Sequence, residues 1–271
     1  GCLLLVSGLG VLTSVVIRRL PIAAPDRKFP FDAPQQTWRD LKTLASSRAM
    51  LRVALGMAFF WAVGSMANLN IDQFVAEGGG TLATDKLPLL FSLILGIGLG
   101  SVLAGIWSAG RVELGMLTPG AMGIAIFSFL LFTVQGEVID PANSLNSAFL
   151  FACLCLFGLG FSAGMFNIPL NAYMQSRSPT RTRGSILAAS NFLTFTGILL
   201  FSCFYGFLRK EVGGPDNPHP LLSAKQVFLV AGLMTIPVVI YVVCLIPQAT
   251  LRFMAWMLSR SIYRVRSSGI K

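Results

Sequence analysis

The feature that most constrains this chain is a recurrence: stretches of about twenty apolar residues, nearly free of charge, separated by short polar turns. A bilayer's hydrocarbon core is spanned by about 20 apolar residues in an α-helix. Nothing in that core can hydrogen-bond an open backbone, so the runs must be helices. They lie at residues 1–17, 50–70, 87–107, 114–134, 147–170, 185–208 and 225–246. The expectation is an all-α, polytopic membrane protein with about seven spans. Composition agrees: 54% of residues are hydrophobic and 12% are charged, against about a quarter charged in soluble domains.

The formal net charge of +10 would suggest nucleic acid for a soluble protein. Here the bases gather in short loops and at the C-terminal end, the positive-inside distribution of a polytopic protein. No stretch interleaves aromatic and basic residues outside a helix end, so nucleic acid is not an expected partner. Arg18 and Arg19 close the first run, and Arg177, Arg181 and Arg183 mark a turn on the same, cytoplasmic side. The loop QGEVIDPANSLN carries acids and no base, placing it outside. The five cysteines all lie inside apolar runs without CxxC spacing, which gives neither a metal nor a redox site.

In chain order, residues 1–19 read as the end of a spanning helix, the piece that remains of an excerpt from a longer protein. Residues 20–49 read as a cytoplasmic connector, in which Pro21, Pro25, Pro30 and Pro34 prevent a continuous helix. From Thr37, a candidate cap, Trp38, Leu41, Leu44 and Ala45 recur at helical spacing opposite Arg39, Asp40 and Lys42. That is an amphipathic segment suited to the inner membrane surface. Residues 50–246 form a six-helix block. Residues 247–271 read as a basic interfacial helix, with Leu251, Met254, Leu258 and Ile262 on one face, or as a linker into a further domain.

The six-helix block divides three plus three, as inverted repeats do. The first helix of each triplet carries asparagines near one end: Asn68 and Asn70 in one, Asn167 and Asn171 in the other. Those ends fall on opposite sides of the membrane. Polar groups at membrane depth are costly, which makes them candidates for function. Asn68, Asn70, Asn167, Asn171 and Asn191 are therefore the candidate substrate-binding residues. Interhelical hydrogen bonding is the competing role for each. Asp72, Gln73, Arg111, Glu113, Arg177 and Arg183 are candidates for coupling or gating. For Asp72 the competing role is that of an outer-loop acid, and for the arginines of the basic turn it is topology anchoring. Phe59, Phe60, Trp61, Phe161 and Phe166 are candidates for an acyl-chain path, with lipid-facing or packing roles as the alternative. Gly96, Gly100 and Ala104 form a small-residue ridge that lets helices approach closely.

Three pieces carry a family resemblance: the long connector, the turn LAGIWSAGRVELG, and NIPLNAYMQSRSPTRTRGSILAASNF. Together they resemble the major facilitator superfamily, and more narrowly its lysophospholipid transporter family, which includes members fused to an acyltransferase and an acyl-carrier-protein synthetase. The most specific pieces are Pro169-Leu170-x-Ala172-Tyr173-x-Gln175, and Arg183-Gly184 followed by Ala188-Ala189-x-Asn191-Phe192. The run IPQATLRFMAWMLSRSIYRVR resembles the segment leading into the acyltransferase of fused members. One departure stands out: Ser108 occupies the place where the superfamily's turn signature carries an acid.

The resemblance implies the C-terminal six-helix half of a major facilitator fold plus the preceding helix. It implies inward movement of lysophospholipids, of 2-acyl-glycerophosphoethanolamine type, across a bacterial inner membrane by alternating access. The implied partners are the substrate, membrane lipids, the N-terminal transporter half and a fused or associated acyltransferase; no cofactor or metal is implied. Two other functions stay open: a membrane anchor for such an acyltransferase, and an efflux transporter of drugs or small solutes. The chain itself is not expected to be an enzyme. Its single histidine, His219, is followed five positions later by Ala224, so the HxxxxD pairing that would supply a general base is missing.

Overall fold

A computed structural model of the chain describes residues 2–16, 32–82, 84–108, 113–140, 145–213 and 219–261. It forms two compact units, residues 1–36 and 37–271. The first contains α1 (Cys2–Val15), an apolar helix too short to span a bilayer by itself. The second is built on six helices long and apolar enough to cross a membrane. These are α3 (Arg48–Glu77), α4 (Leu87–Ser108), a 3-10 turn (Leu114–Met116) continued by α5 (Leu117–Phe132), α6 (Ser147–Arg177), α7 (Arg183–Leu208) and α8 (Ala224–Leu245). Two shorter helices flank them, α2 (Ala33–Ala45) and α9 (Pro247–Ser261).

Helix ends differ from the sequence expectation where the chain turns polar. α3 and α6 each run seven residues beyond their expected ends, so Asp72, Gln73, Asn171 and Gln175 are all helical. At 30 and 31 residues, each is roughly 45 Å long, well over the ~30 Å hydrocarbon core. Their last turns therefore extend beyond the apolar layer, where polar side chains are tolerated. Pro34 does not break α2; it lies in the first turn, where its missing N–H would have no helical partner anyway. The helix accordingly starts at Ala33 rather than near Thr37. α7 starts at Arg183, two residues before its expected start, and the basic turn itself is confined to residues 178–182. The all-helical expectation needs one amendment: β1 (Glu211–Val212) and β2 (His219–Pro220) make a minimal antiparallel pair between α7 and α8. His219 lies in that pair and is exposed.

Local chemistry explains several starts. Ser47 caps α3 by accepting from the Met50 N–H at 3.4 Å, and Asn146 caps α6 by accepting from the Phe149 N–H at 2.7 Å. Ser223 and Gln226 form a reciprocal capping box on α8. At the far end of α3, Gly79 adopts a φ of +96°, open at little cost only to glycine.

The helix neighbours repeat under an exchange of triplets. α3 packs on α7 and α8; α6 packs on α4 and α5; α5 meets α8, and α3 meets α6. Exchanging α3–α5 with α6–α8 maps this pattern onto itself. α3 and α6 run antiparallel, as an inverted repeat requires. The tightest crossing is α4 on α6. A Cβ added at Gly96 would lie 2.2 Å from the Phe157 carbonyl oxygen, and one at Gly100 would lie 2.1 Å from that of Phe161. Gly160 is equally close to the Leu93 carbonyl on α4. The ridge of small residues thus meets a second one, and backbone lies directly on backbone.

α9 is docked rather than free on both faces. Thr250 and Thr118 share a buried hydrogen bond of 2.7 Å, and Phe253 is buried beside Trp107, Ala104 and Met116. Leu251 and Met254 remain exposed. Of the expected apolar stripe, Ile262 lies outside the described residues.

Candidate functional site

The α3–α6 contact fixes the register of the site. Gly56 faces Leu170, and the Phe60 and Phe166 rings stand 6.0 Å apart. In this antiparallel register Asn167 is level with Phe59, and Asn68 lies nine residues further along α3. By the 1.5 Å helical rise the two amides are roughly 13 Å apart along the helix axis. Both line one cavity of about 450 Å³, to which all six spanning helices contribute. Between the amides the walls are mostly apolar and aromatic, with Phe59, Phe60, Trp61 and Phe166 among them and Ser65 as a polar interruption. Among the described residues, none that lines it is charged. The volume falls in the range of small-molecule sites.

Asn68 and Asn167 occupy equivalent places in the repeats. Each lies twenty residues after the first residue of its helix, 48 to 68 and 147 to 167. Their surroundings differ. Asn171 donates from Nδ2 to both the Asn167 Oδ1 (2.9 Å) and the Asn167 main-chain oxygen (3.0 Å). The residue at the same offset in the other repeat is Asp72, which pairs with Lys86 at 2.8 Å instead.

The remaining sequence candidates stand outside the cavity. Asn70 is fully buried and donates to the Ala224 carbonyl at 2.8 Å, tying α3 to the start of α8; its Oδ1 has no partner. Asn191 is exposed, two turns from the cavity-lining Ile198 on the same side of α7. Gln73 accepts from Arg209 at 3.1 Å. Glu113 is half-buried where the 3-10 turn begins. Arg177 ends α6, exposed, and Arg183 begins α7, donating to the Ser178 carbonyl at 3.4 Å. Arg111 lies outside the described residues. Phe161 packs on Phe157 rather than lining the cavity.

Sequence reasoning missed two features. The first is the set of cavity hydroxyls, Ser65, Ser101, Ser128 and Thr235. Single small polar residues within spans were the available signal. Ser65 and Thr235 each donate into their own helix at 2.8 Å and so offer the cavity lone pairs only. The second is a clamp at the end of the bundle away from the basic turn. Glu77, in the last turn of α3, takes Arg209, the residue that caps the end of α7, in an ion pair and accepts from the Ala224 N–H of α8 at 2.7 Å. Arg209 also donates to the Leu222 carbonyl at 2.9 Å. Glu77 is more than 130 positions from both Arg209 and Ala224 in sequence, and no local pattern reveals that pairing.

A family model described as Major Facilitator Superfamily matches residues 1–202, from α1 through most of α7. No curated protein and no solved structure matches the chain.

Proposed function

This chain belongs to the Major Facilitator Superfamily, and on that premise we propose that it is part of a transporter that moves lysophospholipids across a bacterial inner membrane by alternating access. Its spanning helices and its family make it a multi-pass membrane transport protein; the lysolipid, of 2-acyl-glycerophosphoethanolamine type, is the proposed step. The observation that carries it is the cavity: aromatic and apolar walls, no charge, and an amide toward each end. An acyl chain lies in the aromatic middle, where its burial is favourable. A polar glycerophosphate head takes an amide hydrogen bond, Asn167 at the end near the basic turn and Asn68 toward the other. Reorientation of the six-helix block against the N-terminal half exposes the two ends in turn.

A small polar solute with no apolar tail fits poorly, since it leaves the aromatic and apolar walls without a partner to bury. An apolar drug-like solute fits the cavity's size and walls, and efflux is the second reading on that ground. A pure anchor for an acyltransferase has no need of a cavity with amides at matching positions in two repeats.

The test is uptake of labelled lysophosphatidylethanolamine into vesicles carrying the full-length protein. Saturable uptake supports the proposal. Absence of lysolipid movement alongside transport of an uncharged, apolar drug-like solute would replace it with the efflux reading.

A further inference from the structure

The cavity's two amides differ in one respect that bears on recognition. An asparagine side chain can present either its oxygen or its NH₂ group, and free rotation lets it offer whichever the ligand needs. Asn68, exposed on α3, has this freedom, since among the described residues it has no side-chain hydrogen-bond partner. Asn167 does not. Asn171, outside the cavity lining, makes two contacts with it: one to the main-chain oxygen at 3.0 Å and one to the side chain at 2.9 Å. A main-chain oxygen only accepts, so the Asn171 group that faces it must be its NH₂. That same NH₂ faces the Asn167 amide, which must therefore present its oxygen to Asn171. The orientation follows from the backbone atom, without assigning either amide by itself. It leaves the Asn167 NH₂ as the group available to the cavity.

We propose that Asn171 is a positioning residue that locks the Asn167 amide with its N–H donors toward the cavity. This end of the cavity thereby selects amphiphiles whose polar group is a hydrogen-bond acceptor, phosphate or carboxylate oxygen above all, over those that bring only donors. The inference rests on the reading of the cavity as the substrate site and adds the polarity of its selection. The lone pairs of Ser65 and Thr235 elsewhere in the lining make Asn167 the fixed donor among the hydrogen-bonded cavity groups. At the equivalent place in the other repeat, the Asp72–Lys86 pair leaves Asn68 unlocked, so the selection is confined to the Asn167 end.

The experiment measures equilibrium binding of two amphiphiles with the same chain, dodecyl phosphate and dodecylammonium, to the full-length protein in nanodiscs, with protein-free discs subtracted. The readout is the ratio of the two affinities. Wild type should favour the phosphate. Asn171→Ala should lower that ratio about tenfold, the scale of one hydrogen bond to a charged group. Asn171→Asp, nearly isosteric, covers the case in which the alanine variant does not fold. It cannot donate to the main-chain oxygen and turns the Asn167 amide around, so the ratio should fall further. Because Asn171 acts through Asn167, adding Asn171→Ala to Asn167→Ala should leave the ratio where Asn167→Ala put it. A merely structural role for Asn171 would weaken both probes equally. An unchanged ratio in Asn171→Ala, or an equal further drop in the Asn167→Ala background, would overturn the proposal. Failure of lysolipid uptake in vesicles would count against the substrate reading alone, because the binding ratio does not depend on transport.

Discussion

The two repeats share one architecture and differ in how each holds its first helix. In the second, α6 lies on α4 through glycines, with backbone against backbone at Gly96, Gly100, Gly160 and Gly164. In the first, the equivalent α3–α7 crossing has only Gly197, where an added Cβ would sit 3.1 Å from the Ala58 carbonyl. In its place stands the clamp of Glu77, Arg209 and Ala224. The position equivalent to Glu77 in α6 is Ser176, whose hydroxyl merely donates back to the Tyr173 carbonyl. One repeat is fastened by close packing and the other by a polar clasp near the membrane edge. The lesson is that inverted repeats conserve which helices meet while solving each contact with different chemistry.

The comparison breaks most readily at its glycines. Gly100→Val should be the most damaging substitution, costing about 3 kcal/mol or more, since overpacking at backbone contact cannot be relieved by a rotamer change. A thermal-shift assay of the purified protein should show a large fall in midpoint or no folded protein at all. Gly197→Ala, its counterpart, should cost under about 1 kcal/mol in the same assay, because a few tenths of an ångström suffice there. Equal losses at the two sites would erase the distinction drawn between the repeats.

Next in size is the clamp. Glu77→Ala leaves the largely buried Arg209 guanidinium and the Ala224 N–H without their carboxylate, and should cost about 2 kcal/mol. Ser176→Ala should be nearly silent. Hydrogen exchange supplies the sharper readout, with Glu77→Ala raising exchange at the start of α8 while leaving α5 unchanged.

The smallest stability effect concerns α9. Thr250→Val removes one partner of the buried Thr118 hydroxyl and should cost about 1 kcal/mol. If α9 contributed nothing to the bundle, the thermal midpoint would not move.

Much of this was legible in the sequence. The existence of the spanning helices, their three-plus-three division and the tight packing of the Gly96–Gly100–Ala104 ridge all follow from hydropathy and small-residue spacing. The ends of the helices were not legible. Asn70, Asp72 and Gln73 look like a turn because they are polar, yet each has a partner from another element, Ala224, Lys86 and Arg209. Those partners make continued helix affordable to polar side chains. Of the candidate site, Asn68 and Asn167 were visible as polar residues at equivalent depth in two repeats. The separate role of Asn171 was not, because spacing of four along a helix permits a contact without stating its direction. The clamp at Glu77 depends wholly on long-range pairing. Pro34 shows the opposite error: a residue that breaks helix interiors is well tolerated in a first turn.

In the proposed transport cycle the cavity carries the lipid and its Asn167 end makes the decisive polar contact. Initial-rate uptake of labelled lysophosphatidylethanolamine should be compared across wild type, Asn68→Ala and Asn167→Ala, with surface expression equalised. Uptake should be saturable in wild type, fall about tenfold in Asn167→Ala, and fall by a smaller factor of about three in Asn68→Ala, whose unlocked amide is the weaker contact. Uptake that is undiminished in both variants would contradict that cycle.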